Sequence, residues 1–235
     1  TTHFLNKWPG DAAMQRVNLL DARNRERFLR ELRRRTEEVD LFVLSYHGDA
    51  YEEYRRSPSP DKQRLMKSFL DAGVDIVWGH HPHVPQPVEL SRDSGSTGVI
   101  LHSTGNFLTG QGALIDTTAP DPYHLHAWTN DGFLFRIHLI ADREQAPLTV
   151  SALKLIPVTA MRAPLPGGWK VTTFDHAIAE SGSEVWKDYY RARRTILEDW
   201  AAHQSLTEES AAVDTSDAER SGVPRTVDAL ENLPR

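Results

Sequence analysis

Three histidines fall within four positions at Gly79-His80-His81-Pro82-His83, directly after the apolar run Val74-Asp75-Ile76-Val77-Trp78. Imidazoles have little reason to crowd unless they share a task, and neutral imidazole is the commonest nitrogen ligand for zinc, iron and manganese. A His-x-His spacing at the end of an extended segment can turn both rings toward one cavity, and Pro82 stiffens that presentation. His81 and His83 are therefore expected to bind metal. Successive residues of an extended chain point opposite ways, so His80 is expected behind the ligands rather than among them. His47 ends an earlier apolar run, Leu41-Phe42-Val43-Leu44, and an adjacent parallel strand would bring it beside the His81 loop.

The other histidines carry less. His102 stands four positions before Asn106 and is expected near the pocket. His124-x-His126 repeats the ligand spacing but lies in a turn-rich loop with no strand leading into it, so a substrate-side or surface role is expected. His3, His138, His176 and His203 are isolated and read as surface or satisfied core residues.

These side chains need a scaffold that ends strands at one rim. Residues 20–38 place Leu20, Phe28, Leu29 and Leu32 on one stripe of an arginine-rich helix, whose interleaved glutamates mark a solvated face. The run at 41–44 suits a buried strand opening into a loop at His47. Ser57-Pro58-Ser59-Pro60-Asp61 supplies a helix start, Leu65, Met66, Phe69 and Leu70 its apolar face, and Gly73 its close. The strand at 74–78 follows, completing a strand, helix, strand unit whose ligands collect where the strands end. Residues 86–90, 99–103, 132–140 and 148–156 read as further strands in a more antiparallel sheet, and Val185, Tyr189, Ala192, Ile196 and Trp200 as a helical stripe. From about residue 205 the chain is polar and acidic, a composition that suits a loosely held tail.

The composition narrows the chemistry. Apolar residues make up 39% of the 235 and charged residues 26%, globular proportions that speak against a disordered or membrane class. A net charge of −6 gives no general pull toward nucleic acid. With no cysteine, thiolate zinc sites, iron–sulfur clusters, disulfides and cysteine nucleophiles are excluded, so any metal must be held by nitrogen and oxygen. No window approaches the roughly 18 apolar residues of a transmembrane helix. The chain opens on Thr1 without Met, which leaves room upstream for a signal or anchor.

Four segments carry a family resemblance: Asp40-Leu41-Phe42-Val43-Leu44-Ser45-Tyr46-His47-Gly48, Asp71-Ala72-Gly73-Val74-Asp75-Ile76-Val77, Gly79-His80-His81-Pro82-His83-Val84-Pro85-Gln86-Pro87 and Ser103-Thr104-Gly105-Asn106-Phe107. In order and separation, over roughly residues 36–160, the chain resembles the CapA/PgsA family of bacterial poly-γ-glutamate capsule synthesis proteins, a branch of the calcineurin-like metallophosphoesterase superfamily. The resemblance implies an α/β fold, the C-terminal half of an αββα sandwich, with a mixed sheet followed by a more antiparallel one. It maps one strand-ending histidine and a His-x-His pair of a two-metal centre onto His47, His81 and His83, with manganese, iron or zinc as the divalent ions. His80, Asp49, Asn106 and His102 are expected behind the ligands or on the substrate side.

Two departures qualify what the resemblance implies. The family follows its strand-ending histidine with Trp-Gly and an acidic-aromatic pair, whereas His47 is followed by Gly48-Asp49-Ala50-Tyr51-Glu52-Glu53-Tyr54, leaving Asp49, Glu52 and Glu53 as candidate site residues. The superfamily's Asp-x-His, bridging Asp and Asn-His motifs have no counterpart before His47, so an N-terminal half or a partner chain is expected to complete the site. The expected organisation is a half-domain over 1–160, a turn-rich extension with an amphipathic helix over 161–204, and a polar tail over 205–235. The expected function is a phosphoesterase-type protein of cell-envelope polymer synthesis acting on a polymer or phosphoester. The alternatives are a non-catalytic metal-binding or scaffolding subunit, and a mononuclear site in an unrelated α/β protein.

Overall fold

A computed structural model describes residues 17–48, 53–93, 96–107, 115, 117–118, 125–140, 149–162 and 168–202. Helix α1 (Ala22–Thr36) starts where the Asp21 carboxylate accepts the Asn24 N–H at 2.9 Å, satisfying one of the donors a helix start leaves open. Strand β1 (Val43–His47) follows, then α2 (Pro60–Leu70), capped by the Ser59 hydroxyl and begun by Pro60 in the first turn, where a missing N–H costs nothing. Strand β2 (Ile76–His80) runs parallel to β1 and pairs His47 with His80. Asp75 locks the entry to both strands by accepting the Phe42 N–H at 2.7 Å.

Strands β3 (Pro85–Asp93) and β4 (Ser96–Thr104) complete a four-stranded sheet ordered β1-β2-β4-β3, in which only β3 is antiparallel to its neighbour. A short helix α3 (Leu125–Asn130) leads into β5 (Asp131–Ile140), β6 (Thr149–Arg162) and β7 (Trp169–Thr173), an antiparallel sheet ordered β5-β6-β7. Helices α4 (Phe174–Glu180) and α5 (Glu184–Ala202) follow. β6 runs past residue 160 and β7 extends the same sheet, so the second sheet and its helices form one continuous unit.

Apolar side chains from two pairs of helices and two sheets make four layers. Leu32 of α1 and Met66 and Phe69 of α2 pack on Val77 and Ile100, covering one face of the first sheet. The opposite face presents Ile76, Val88, Val99 and Leu101 to Val150, Ile137 and Leu153 of the second sheet. Beyond it, Trp128, Phe133 and Met161 pack against Phe174, Ala177, Tyr189 and Leu197 of α4 and α5. The arrangement is α/β/β/α, as expected for this fold class. A buried ion pair ties α5 to the second sheet, with Arg193 Nη2 at 2.7 Å from Asp131 Oδ2 and both side chains fully buried.

Strand β1 departs from the buried strand expected of its apolar run. It lies at the sheet edge with alternating exposure, and Val43 and the neighbouring Trp78 are 46% and 44% exposed. A continuous apolar run does not separate a central strand from an edge whose open face awaits cover. Gly79 is demanded by the close approach of β2 and β4, since a Cβ there would stand 2.3 Å from the carbonyl oxygen of His102. Among the described residues, no helix is long and apolar enough to cross a membrane.

Candidate functional site

The parallel pairing of β1 and β2 ends both strands at one rim, placing His47 opposite His80. His81 is the first residue beyond β2, and its φ of +97° is a conformation that side-chain-bearing residues avoid at a cost on the order of 1–3 kcal/mol. That turn swings the His81 ring back over β1, where its Nδ1 stands 3.3 Å from His47 Nε2 with ring centroids 5.3 Å apart. Two nitrogens bound tetrahedrally to one ion, each at about 2.0–2.1 Å, stand about 3.3 Å apart. The donor pair therefore has the separation of a shared cation's ligands. Burial first, and then the neighbouring imidazole of His81, hold His47 below the usual histidine range, so its ring is neutral and its lone pair available at pH 7.

His83 is oriented from behind. Its Nδ1 lies 2.8 Å from Asn106 Oδ1, and the Asn106 amide in turn donates to the Thr129 carbonyl at 2.8 Å. With its NH2 group directed at Thr129, Asn106 offers its oxygen, so His83 Nδ1 is the donating nitrogen and Nε2 is turned away from Asn106. This is the arrangement by which residues behind a metal set a ligand's tautomer. Gly105, at φ +75°, makes it possible, because it bridges to Gly132 and leaves no room for a side chain against the Asp131 carbonyl. Asn106 thus lies against His83.

The remaining candidates lie in different places. His80 shares the face of His47, its ring stacked with centroids 6.4 Å apart, while its Nε2 meets the Ser45 hydroxyl at 3.1 Å and its ring lies 5.0 Å from that of Trp78. Burial, then the Lys62 charge, hold its ring neutral as well. His102 is fully buried and hydrogen-bonds Glu89 at 3.0 Å, and Glu89 in turn pairs with Lys67 of α2. Asp49 and Glu52, His124, and the side chain of His126 lie outside the described residues, as do His3, His203 and the tail expected from residue 205. His176 is exposed beside Glu180. Among the described residues no three His, Asp or Glu side chains converge as a ready metal-binding group.

Sequence reasoning overlooked Lys62. Its ammonium is 2% exposed, donates to Gln86 Oε1 at 3.0 Å, and is felt electrostatically at both His47 and His80. A lysine in the first turn of an amphipathic helix reads as solvated, and nothing in the local pattern marks this one as buried.

The fold and rim define a four-layer α/β protein that gathers strand-end histidines at the edge of its mixed sheet. Residues 4–111 match the family model described as bacterial capsule synthesis protein PGA_cap. Over that stretch the chain is similar to this bacterial capsule synthesis family. It is 44% identical over 74 residues to the capsule biosynthesis protein CapA of Bacillus anthracis, which covers 32% of this chain and 16% of that protein. It is 33% identical over 125 residues to the PGA biosynthesis protein CapA of Bacillus subtilis (strain 168), covering 53% of this chain and 31% of that protein. The chain thus spans less than a third of the length of these curated relatives.

Proposed function

We propose that this chain supplies the histidine side of a divalent-metal centre in a phosphoesterase-type protein of capsule or poly-γ-glutamate synthesis, associated with the cell envelope. The observation that carries the reading is the 3.3 Å approach of His81 Nδ1 to His47 Nε2 across two strand ends. The tautomer that Asn106 imposes on His83 supports it, as does the strained backbone at His81, which the fold retains at a cost.

His47 and His81 would hold one side of the ion pair's pocket, and His83 would bind through Nε2. His47, His81 and His83 would hold divalent ions, whose chemistry there would be polarisation of a phosphoryl oxygen and supply of hydroxide at neutral pH. The residues of this chain orient and fix charge, and none of the three imidazoles acts as nucleophile. The remaining ligands come from an N-terminal half or a partner chain seated on the open edge of β1. The exposed Val43 and Trp78, apolar and next to the rim, suit such a cover.

Metal uptake by the intact chain against a His81→Ala, His83→Ala double variant tests the reading. Manganese or zinc bound by the wild type and lost by at least tenfold in affinity in the variant is expected; unchanged stoichiometry removes the site. Metal-dependent turnover of a chromogenic phosphodiester marks a hydrolase, whereas uptake without turnover marks a non-catalytic metal-binding subunit.

A further inference from the structure

We propose that Glu53 is a carboxylate ligand of the same centre, paired with His83; this inference rests on the metal-binding reading of the histidines. Glu53 lies in the segment between β1 and α2 with its carboxylate partly exposed, and an ordinary surface ion pair would be the simplest account of its contact with His83. Three features go beyond that account.

First, the segment is stitched to the framework at Glu53 itself and just after it. The His83 N–H donates to the Glu53 carbonyl at 2.7 Å, and Gln86 Nε2 donates to the Arg55 carbonyl at 2.8 Å. Gln86 is itself buried and held by Lys62, and the Arg56 guanidinium stacks 3.9 Å above the Trp128 ring. These bonds fix the backbone that carries the carboxylate, and fixed backbone is what a ligand set needs.

Second, with Nδ1 directed at Asn106, His83 turns its Nε2 to Glu53 Oε1 at 3.4 Å. A cation between these two atoms, a proton in the bare pair or a metal ion in the loaded site, draws them together. Their separation is close to the roughly 3.3 Å expected of two donors sharing one tetrahedral ion. It also nearly repeats the 3.3 Å spacing of the His47 and His81 nitrogens.

Third, charge favours it. Imidazole ligands bring no charge to offset a dication, and the buried Lys62 ammonium, bonded to Gln86, adds positive charge behind the rim. One carboxylate beside His83 offsets that excess, and hard or borderline divalent ions accept mixed nitrogen and oxygen ligands.

Cobalt(II) titration of the full chain, followed by visible absorption, tests the assignment with wild type, Glu53→Gln and the His81→Ala, His83→Ala variant, each checked for folding by far-UV circular dichroism. Glu53→Gln is expected to weaken cobalt affinity about tenfold or more and to shift the ligand-field bands, with the fold unchanged. Wild-type affinity and bands in Glu53→Gln, alongside loss in the histidine variant, overturn the role of Glu53 and leave the histidine site standing. Weaker affinity with unchanged bands also overturns it, because the carboxylate then acts only as a distant charge. Wild-type binding by the histidine variant, or no uptake by the wild type, overturns the metal reading and this inference together.

Discussion

Asn106 spans two layers of the fold, its carbonyl oxygen 2.8 Å from His83 Nδ1 and its amide nitrogen 2.8 Å from the Thr129 carbonyl oxygen that ends α3. One side chain thereby registers the rim of the first sheet against the approach to the second.

Replacing Asn106 by Ala leaves His83 free to rotate and to swap tautomers. Residues that orient a ligand from behind are worth about 10–100-fold in metal affinity. Asn106→Ala is expected to lose affinity in that range with its thermal transition shifted only slightly, as read by metal titration beside a melting curve. Affinity equal to wild type would show that His83 is not held through this bond.

His81→Gly should separate stability from binding. Glycine adopts φ +97° without the penalty histidine carries there, so the metal-free chain is expected to gain on the order of 1 kcal/mol in urea denaturation. The same variant loses the nitrogen facing His47 and with it tight metal binding. A destabilised His81→Gly would mean that the ring contributes more to the apo fold than the backbone costs it.

Arg193→Ala strands the Asp131 carboxylate in a fully buried setting. Breaking one partner of a buried pair costs about 3–5 kcal/mol, a large part of the roughly 5–15 kcal/mol that holds a typical domain together. The expected result is a chain that unfolds at much lower urea, and a loss below about 1 kcal/mol would show that water reaches the pair.

Burial raises both tyrosines of α5, with Tyr190 pushed up to about 12. The folded state therefore favours the neutral phenol while the unfolded chain ionises near the ordinary value of about 10. The stability this group contributes is complete below pH about 10 and is lost as pH rises toward about 12. Tyr190→Phe is expected to flatten the decline in stability across that window, measured by urea midpoints at stepped pH; an unchanged slope would assign the alkaline loss elsewhere.

Much of this arrangement was legible in the residues themselves. Apolar runs ending in His47 and in Gly79-His80 announced parallel strands finishing together. Ser59 and Pro60 marked the start of α2 because capping chemistry is local. Strand β7 and helix α4 went unread, since five residues of strand joined directly to seven of helix are too short for either period to register. Glu53 appeared only as one of three acidic candidates, because its contact with His83 depends on backbone bonds between segments about thirty residues apart. The members of the Asp131–Arg193 pair lie 62 positions apart, with no periodicity to betray the contact.

Among the described residues, β1 is paired on one side only, so its outer row of amides and carbonyls is a template for an added strand. Handled alone at high concentration, the polypeptide is exposed to stacking edge against edge. Dilution, or co-production with whatever segment docks there, is the practical route to a well-behaved sample.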